Sequence, residues 1–135
     1  MTEASSAPVI AVLADDLIWS TRLVSQLRAA GGNPVHARDI DAFRRALGTA
    51  DGAIVDLTAR AYDGIEALAL ARDHGVPAIA VGQHDDAAIR RAARAAGATS
   101  VYAYRALFER GAMVLAAWLG TLGNRQVSGE VAEGQ

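Results

Sequence analysis

The sequence predicts an α/β fold in which a parallel sheet is covered by helices on both faces. Short apolar runs alternate along most of the chain with amphipathic segments of helical length. The apolar runs are continuous rather than alternating, which is typical of strands buried on both faces of a parallel sheet. Apolar residues make up 52% of the 135 residues and aromatic residues only 5%, so the core must consist mainly of small and aliphatic side chains.

Five predicted strands alternate with five predicted helices. The first strand, "VIAVLA" at 9–14, is rich in β-branched residues, and the helix at 17–30 ends at Gly31-Gly32. Asp85 or Asp86 can cap the fourth helix. The other strands are predicted at 34–37, 53–56, 77–82 and 100–104, and the other helices at 40–50, 64–75, 87–97 and 107–122. This (βα)5 pattern predicts a flavodoxin-like, doubly wound parallel sheet of strand order 2-1-3-4-5, which binds ligands at the carboxyl ends of its strands.

Composition limits the domain organisation and the function classes. One domain is expected over residues 8–122, between a disordered N-terminus (1–7) and a polar, flexible C-terminal tail (123–135), with no attached output domain. The net charge of -2 gives no general attraction to nucleic acid or to an anionic membrane. The absence of cysteine excludes disulfides, thiolate catalysis and cysteine-zinc sites. Without a signal peptide or a membrane-spanning run, a cytoplasmic protein is expected.

Aspartates stand where the first and third predicted strands end. Asp15 and Asp16 follow the first strand, and Asp56 ends the third. In a 2-1-3 arrangement these ends are neighbours, so the three carboxylates should converge and raise each other's pKa unless a cation lies among them. Mg²⁺, held by one or two carboxylates and several waters, suits such a site and can neutralise an incoming phosphoryl group. Local roles stay open, because Asp16 could cap a helix and Asp56 could be a turn residue.

Four motifs carry a resemblance to a known family: "VLADDL", "IVDLTARAYDG", "PAIAVGQHDD" and "AAGATSVYAY". Over about residues 8 to 122 they resemble the receiver domains of two-component response regulators. The motifs are similar to the family's acidic pair, its phospho-accepting aspartate with the following loop, its fourth strand and its fifth strand. The resemblance implies that Asp56 accepts phosphate from a histidine kinase or a small phosphodonor. It also implies that Asp15, Asp16, Asp56 and the backbone carbonyl of Thr58 hold Mg²⁺.

The sequence departs from the family pattern at two positions that contact the phosphoryl group. Gly82 stands where the family has Ser or Thr, and Tyr104 stands where it has Lys. All thirteen positive side chains are arginines, so no lysine can compensate. Arg105 could turn in, but its planar guanidinium differs from an ammonium group. Because a hydrogen bond to a charged oxygen contributes roughly 1.5–3 kcal/mol, the loss of both partners is expected to impair switching.

Two hypotheses follow, and in neither is the protein an enzyme. In the first, it is an atypical, stand-alone receiver domain of phosphorelay signalling that binds Mg²⁺ weakly, accepts phosphate at Asp56 and acts on a downstream protein partner. In the second, it is a phosphorylation-independent pseudo-receiver that acts as a protein-interaction or dimerisation module. The intact acidic residues favour the first hypothesis, whereas Gly82 and the missing lysine favour the second.

The last predicted helix has two apolar stripes. One stripe should face the sheet, and the segment 111–122 contains no charged residue at all. A helix that is apolar all round is normally buried, and this one is too short to span a membrane. We therefore expect a homodimer, or a complex with a protein partner, through Leu107, Val114 and Trp118. The residues expected to face the sheet are Phe108, Ala112, Leu115, Leu119 and Leu122, and those of the second stripe are Leu107, Gly111, Val114 and Trp118.

Overall fold

The computed structural model describes the backbone of residues 7–82 and 86–133, with side chains as far as residue 122. Most of the predicted disordered N-terminus, and Asp85 as a candidate helix cap, lie outside these residues. Within them the chain forms five strands and five helices. The strands are β1 (Val9–Leu13), β2 (Asn33–Ala37), β3 (Gly52–Asp56), β4 (Ala78–Gly82) and β5 (Ala98–Ala103), and the helices are α1 (Leu17–Ala29), α2 (Ile40–Leu47), α3 (Gly64–Asp73), α4 (Ala87–Ala95) and α5 (Tyr104–Glu133).

The strands form one parallel sheet of order β2-β1-β3-β4-β5, which confirms the predicted topology. The first strand lies between β2 and β3, and Leu13 near its end pairs with Val55. Strand order therefore reverses between β1 and β3. The loop after β1 and the acid that ends β3 consequently lie side by side at the carboxyl edge of the sheet.

Two apolar layers cover the sheet. On one face, Phe43 of α2 and Leu68 of α3 pack against alanines of the strands such as Ala53. On the other face, α1 and α5 pack against β-branched residues such as Ile54. The alanines let the first group of helices approach closely, as the low aromatic content suggested.

Four of the helices begin at an aspartate whose side chain accepts a backbone N–H of the first turn. Asp39 accepts from Ala42, at 2.9 Å, and Asp16, Asp63 and Asp86 cap α1, α3 and α4 in the same way. Of the two predicted candidates for α4, Asp86 is therefore a cap. Such a side chain satisfies a backbone donor that the helix itself leaves unpaired.

The last helix differs from its prediction in extent. It begins at Tyr104 rather than at residue 107, so Tyr104 belongs to the start of α5 and not to β5. Its backbone remains helical to Glu133, through most of the segment 123–135 whose composition predicted a flexible tail. A single non-helical residue, Arg110 (φ -125°, ψ 20°), kinks the helix. No helix within the described residues is long and apolar enough to cross a membrane.

The buried stripe of α5 also differs from its prediction. Leu107, predicted at an interface, is fully buried against the sheet, and Ala112, predicted to face the sheet, is exposed. Towards the start of α5, the nearest buried residues before Leu115 are Gly111 and Leu107, at intervals of four. The prediction instead used an interval of three and placed Ala112 on the buried side. Gly111 permits this phase because α1 is very close there: a Cβ on Gly111 would lie 2.8 Å from Nε2 of Gln26.

Candidate functional site

An acidic pocket of about 320 Å³ opens at the carboxyl edge of the sheet between β1 and β3. It lies at the reversal of strand order, where doubly wound sheets bind their ligands. Three carboxylates and one guanidinium therefore share a small, open volume. Its lining residues are Asp15, Asp16, Trp19, Asp56, Thr58 and Arg60.

Asp56 is the buried acid of this pocket, with 2% of its surface exposed. Its Oδ1 accepts the backbone N–H of Thr58 at 2.9 Å and the Thr58 hydroxyl at 2.5 Å. A buried carboxylate is costly unless it is hydrogen-bonded, and these two donors offset that cost. The apolar strand β3 can end on a carboxylate because the next two residues turn back and satisfy it.

Asp15 and Asp16 each accept backbone donors at the mouth of the pocket. Oδ2 of Asp15 accepts the N–H groups of Arg60 and Ala61, at 3.3 and 3.2 Å, and so holds the loop after β3 across the pocket. Asp16 accepts the N–H of Trp19 at 3.0 Å. The helix-capping interpretation of Asp16 is therefore correct, and the same side chain also lines the pocket.

Tyr62 ties the two strand ends together, a role that the sequence did not indicate. Its hydroxyl lies 2.8 Å from the carbonyl oxygen of Asp56 and 3.0 Å from that of Leu13. Burial, and then the charges of Asp56 and Asp15, raise the pKa of this hydroxyl well above its ordinary value. The tyrosine therefore stays protonated and can donate to the carbonyls at the ends of β1 and β3.

Tyr104, at the position where the family has lysine, reaches the site from the start of α5. Its hydroxyl lies 3.5 Å from Oγ1 of Thr58. Burial, followed by hydrogen bonding to Asp56, raises the pKa of the Tyr104 hydroxyl. A neutral phenol thus stands where a cation was expected.

The ring of Tyr104 belongs to an aromatic stack, which we define as Trp19, Tyr104 and Phe108. The Trp19 ring lies 4.3 Å from that of Tyr104 and 5.1 Å from that of Phe108, with interplanar angles of 9° and 2°. The guanidinium of Arg22 lies 5.6 Å from the centre of the Trp19 ring. Close parallel rings and a nearby cation are favourable contacts. The stack joins α1, which starts at the acidic pocket, to the first turns of α5.

The oxygen atoms of the pocket suit a Mg²⁺ ion that keeps several of its waters, rather than an ion held entirely by carboxylates. The described residues contain no group of three or more His, Cys, Asp or Glu side chains placed to hold a metal ion. All three acids, Asp15, Asp16 and Asp56, already accept backbone donors. Mg²⁺ commonly keeps several waters and uses one or two carboxylates. The pocket has the right ligand type and enough volume for that mode.

Gly82 and Arg105, the other two positions at which the sequence departs from the family pattern, add no group to the acidic pocket. Gly82 ends β4 and lines a separate cavity of about 100 Å³ that also reaches Thr58, so no hydroxyl projects there. Arg105 pairs with Glu109 at 3.3 Å, and its side chain is 88% exposed. The guanidinium that lines the acidic pocket is that of Arg60 instead.

A second concave surface, here called the α5 groove, lies between β5 and the outer side of α5 and encloses about 850 Å³. Val114 and Trp118, two of the predicted interface residues, line it and are half-buried. Met113, another lining residue, is 78% exposed. The third predicted interface residue, Leu107, is in the core, so the apolar outer surface is smaller than the sequence suggested.

No family model and no curated protein matches the sequence. Solved structures do match the fold. The signal receiver domain of a putative Luxo repressor protein from Vibrio parahaemolyticus superposes with a TM-score of 0.76 at 13% identity, over 90% of this chain and 97% of that one. A CheY-like response regulator receiver domain protein from Methanospirillum hungatei gives 0.71 at 18% identity, over 89% and 99%.

A third similar structure is a response regulator protein from Burkholderia pseudomallei with a phosphorylated aspartic acid, a calcium ion and citrate. Its TM-score is 0.71 at 19% identity, over 93% of this chain and 74% of that one. The protein thus has the fold of response regulator receiver domains, at low sequence identity to them.

Proposed function

We propose that this protein is an atypical receiver module of two-component phosphorelay signalling, with Asp56 as its phospho-acceptor. The observation that supports it is a buried carboxylate at the end of β3, facing an acidic pocket at the reversal of strand order. Solved structures of the same fold include a response regulator that carries a phosphorylated aspartic acid. In this role the protein is a binding and switching module rather than an enzyme.

Transfer to Asp56 follows from the groups in the pocket. A carboxylate oxygen of Asp56 attacks the phosphorus of a histidine kinase phosphohistidine or of an acyl phosphate. The bond from phosphorus to the leaving nitrogen or oxygen breaks, and an aspartyl phosphate forms. Arg60 lines the same pocket and can offset the charge of the donor. When held by one or two of the Asp15, Asp16 and Asp56 carboxylates, the Thr58 carbonyl and several waters, Mg²⁺ would supply further neutralisation of the phosphoryl oxygens.

The residues at the altered positions support impaired switching. Gly82 offers no hydroxyl to a phosphoryl oxygen. Tyr104 offers one neutral donor in place of an ammonium group, and Arg105 is paired at the surface with Glu109. Two charge-assisted or hydroxyl contacts to the phosphoryl group are therefore missing, so phosphorylation should cause a smaller structural change than in a receiver that has both.

The experiment is incubation with acetyl phosphate and Mg²⁺ followed by intact-mass measurement. We expect one added phosphate on the wild type and none on Asp56→Asn. Asp73→Asn is the matched control, because it removes the charge of an exposed aspartate at the end of α3 that does not line the acidic pocket. Addition of phosphate to Asp56→Asn, or none on the wild type, would contradict the proposed acceptor.

The α5 groove favours a second candidate function, a phosphate-independent interaction module. An apolar groove flanked by an exposed Met113 and a half-buried Trp118 is the kind of surface that a protein partner covers. In this case the occupant proposed is a second copy of the chain. Beryllofluoride, which imitates a phosphoryl group, separates the two functions: a receiver should change its amide chemical shifts around Asp56 and β5, whereas an interaction module should not.

A further inference from the structure

The carboxylate of Asp56 is buried, although the pocket beside it is open to solvent. The carboxylate is 2% exposed although it lines an open volume of about 320 Å³. The hydroxyl of Thr58 donates directly to it, and the hydroxyl of Tyr104 lies 3.5 Å from that of Thr58. The Thr58 hydroxyl therefore occupies Oδ1 of Asp56, and the Tyr104 hydroxyl lies behind it in the same hydrogen-bond network.

Tyr104 is held in this position by its surroundings. It is 4% exposed, and Trp19 covers both its ring and that of Phe108 in nearly parallel planes. The Tyr104 and Phe108 rings are themselves 5.8 Å apart. For the Tyr104 hydroxyl to leave Thr58, the ring must move, and the stack must open with it.

We propose that Tyr104 is a positioning residue that holds the Asp56 carboxylate in a closed form, so that phosphoryl transfer requires the aromatic stack to open. This inference rests on the proposed function of Asp56 as acceptor. It assigns a role to the stack, which the acceptor chemistry itself does not use. It also means that the tyrosine at the lysine position restrains the acceptor rather than merely failing to contact the phosphoryl group.

The structure determines what each substitution at Tyr104 should do. Tyr104→Phe keeps the ring in the stack and removes only the hydroxyl. Its loss removes the group that holds the Thr58 hydroxyl against the carboxylate, so it should raise the rate of phosphorylation by acetyl phosphate roughly ten-fold. Tyr102→Phe, which removes a tyrosine hydroxyl outside the acidic pocket, is the matched control and should react at the wild-type rate.

A spectroscopic measurement follows the stack directly. The chain has two tryptophans, so Trp118→Phe leaves Trp19 as the single reporter. In that background the Trp19 emission should change during phosphorylation with the same rate constant as the mass increase, because the ring that lies against it has moved. Because Trp19 also lines the acidic pocket, the comparison is with Tyr104→Phe in the same background, and equal emission changes in both proteins would indicate a purely structural role of Tyr104.

A double-mutant cycle tests the contact without any phosphate. Asp56→Asn, Tyr104→Phe and the double variant are unfolded in urea, and the effects of the single substitutions should fail to add, since Thr58 joins the two groups in one hydrogen-bond network. Additive effects overturn the inference, as does a Tyr104→Phe variant that is phosphorylated no faster than the wild type. Failure of wild type, Tyr104→Phe and Tyr104→Lys alike to take up phosphate would instead remove the proposed function, and the restraint on transfer with it.

Discussion

The hydroxyl of Tyr62 offers a direct test of how the site is built. It is the group that joins the carbonyl oxygens at the ends of β1 and β3, at 3.0 and 2.8 Å. Tyr62→Phe removes this hydroxyl and leaves the ring in place. Both strands then lose a shared donor beside Asp56, so the substitution changes one contact of the site and little of the packing.

The loss of stability expected for Tyr62→Phe at neutral pH follows from that contact. A hydrogen bond contributes about 0.5–1.5 kcal/mol net, and leaving a buried acceptor short of a donor costs about 1–3 kcal/mol. We therefore expect the free energy of unfolding to fall by about 1–3 kcal/mol. Urea unfolding followed by far-ultraviolet circular dichroism at pH 7 measures it.

The dependence of stability on pH in the alkaline range gives a sharper expectation. Burial raises the pKa of both Tyr62 and Tyr104 in the folded protein above the ordinary value of 10.0. Above pH 10 the unfolded chain therefore loses protons that the folded protein keeps. Stability should be level below this pH and then fall by about 1.4 kcal/mol per pH unit for each such tyrosine. Lysine and cysteine, which would also titrate nearby, are absent from the chain.

Tyr62→Phe should consequently be less stable at pH 7 but should lose stability about half as steeply between pH 10 and 11, because one of two tyrosines remains. Unfolding curves at several pH values in that interval give both slopes. Equal alkaline slopes for the variant and the wild type, or equal stability at pH 7, would show that the Tyr62 hydroxyl does not hold the strand ends.

Three further predictions concern the α5 groove, the packing beneath it and the metal. Trp118→Glu should remain folded and sediment as a monomer, and a wild type that is already monomeric at high micromolar concentration would rule out the homodimer. Gly52→Ala should lower the free energy of unfolding by about 1–3 kcal/mol, because its Cβ would lie 2.7 Å from a methyl group of Leu122 and 3.0 Å from the Trp118 ring. The control Gly120→Ala meets nothing within 4 Å and should be neutral or stabilising. Mg²⁺ should change the emission of Trp19 weakly in the wild type and less in Asp16→Ala, and flat responses in both would remove the metal site.

The sheet could be predicted because its signals are local and agree with one another. Continuous apolar runs marked the strands, and Asp16 and Asp86 were candidate caps of two helices that the structure shows to be capped by them. The proximity of Asp56 to Asp15 and Asp16 then followed from strand order, since the carboxyl ends of neighbouring parallel strands lie at the same edge of the sheet. The strand and helix assignments therefore depend on residues that are close in sequence, whereas the meeting of the acids depends on the pairing of β1 with β3.

The start and phase of α5 could not be predicted in the same way. The residue before Tyr104 is Ala103, which has no side chain able to cap a helix, so the boundary with β5 carried no signal. Leu107 and Phe108 are both large and apolar, and helical spacing allows steps of either three or four. The choice depends on Gln26 of α1, which packs on Gly111. That contact joins residues 85 positions apart and cannot be seen in a local pattern.

The kink at Arg110 separates the two surfaces that α5 carries. The turn before it holds Tyr104 and Phe108 in the aromatic stack, whereas the turns after it form the α5 groove. Nε2 of Gln26 donates to the carbonyl oxygen of Phe108 at 3.4 Å, just before the kink, where a break in the helix would weaken the normal backbone bond. We infer that the first turn can move with Tyr104 while the groove stays packed on the sheet. Opening the aromatic stack would then leave the oligomeric state unchanged. Phosphorylation of Asp56 and binding at the α5 groove would therefore be independent of each other.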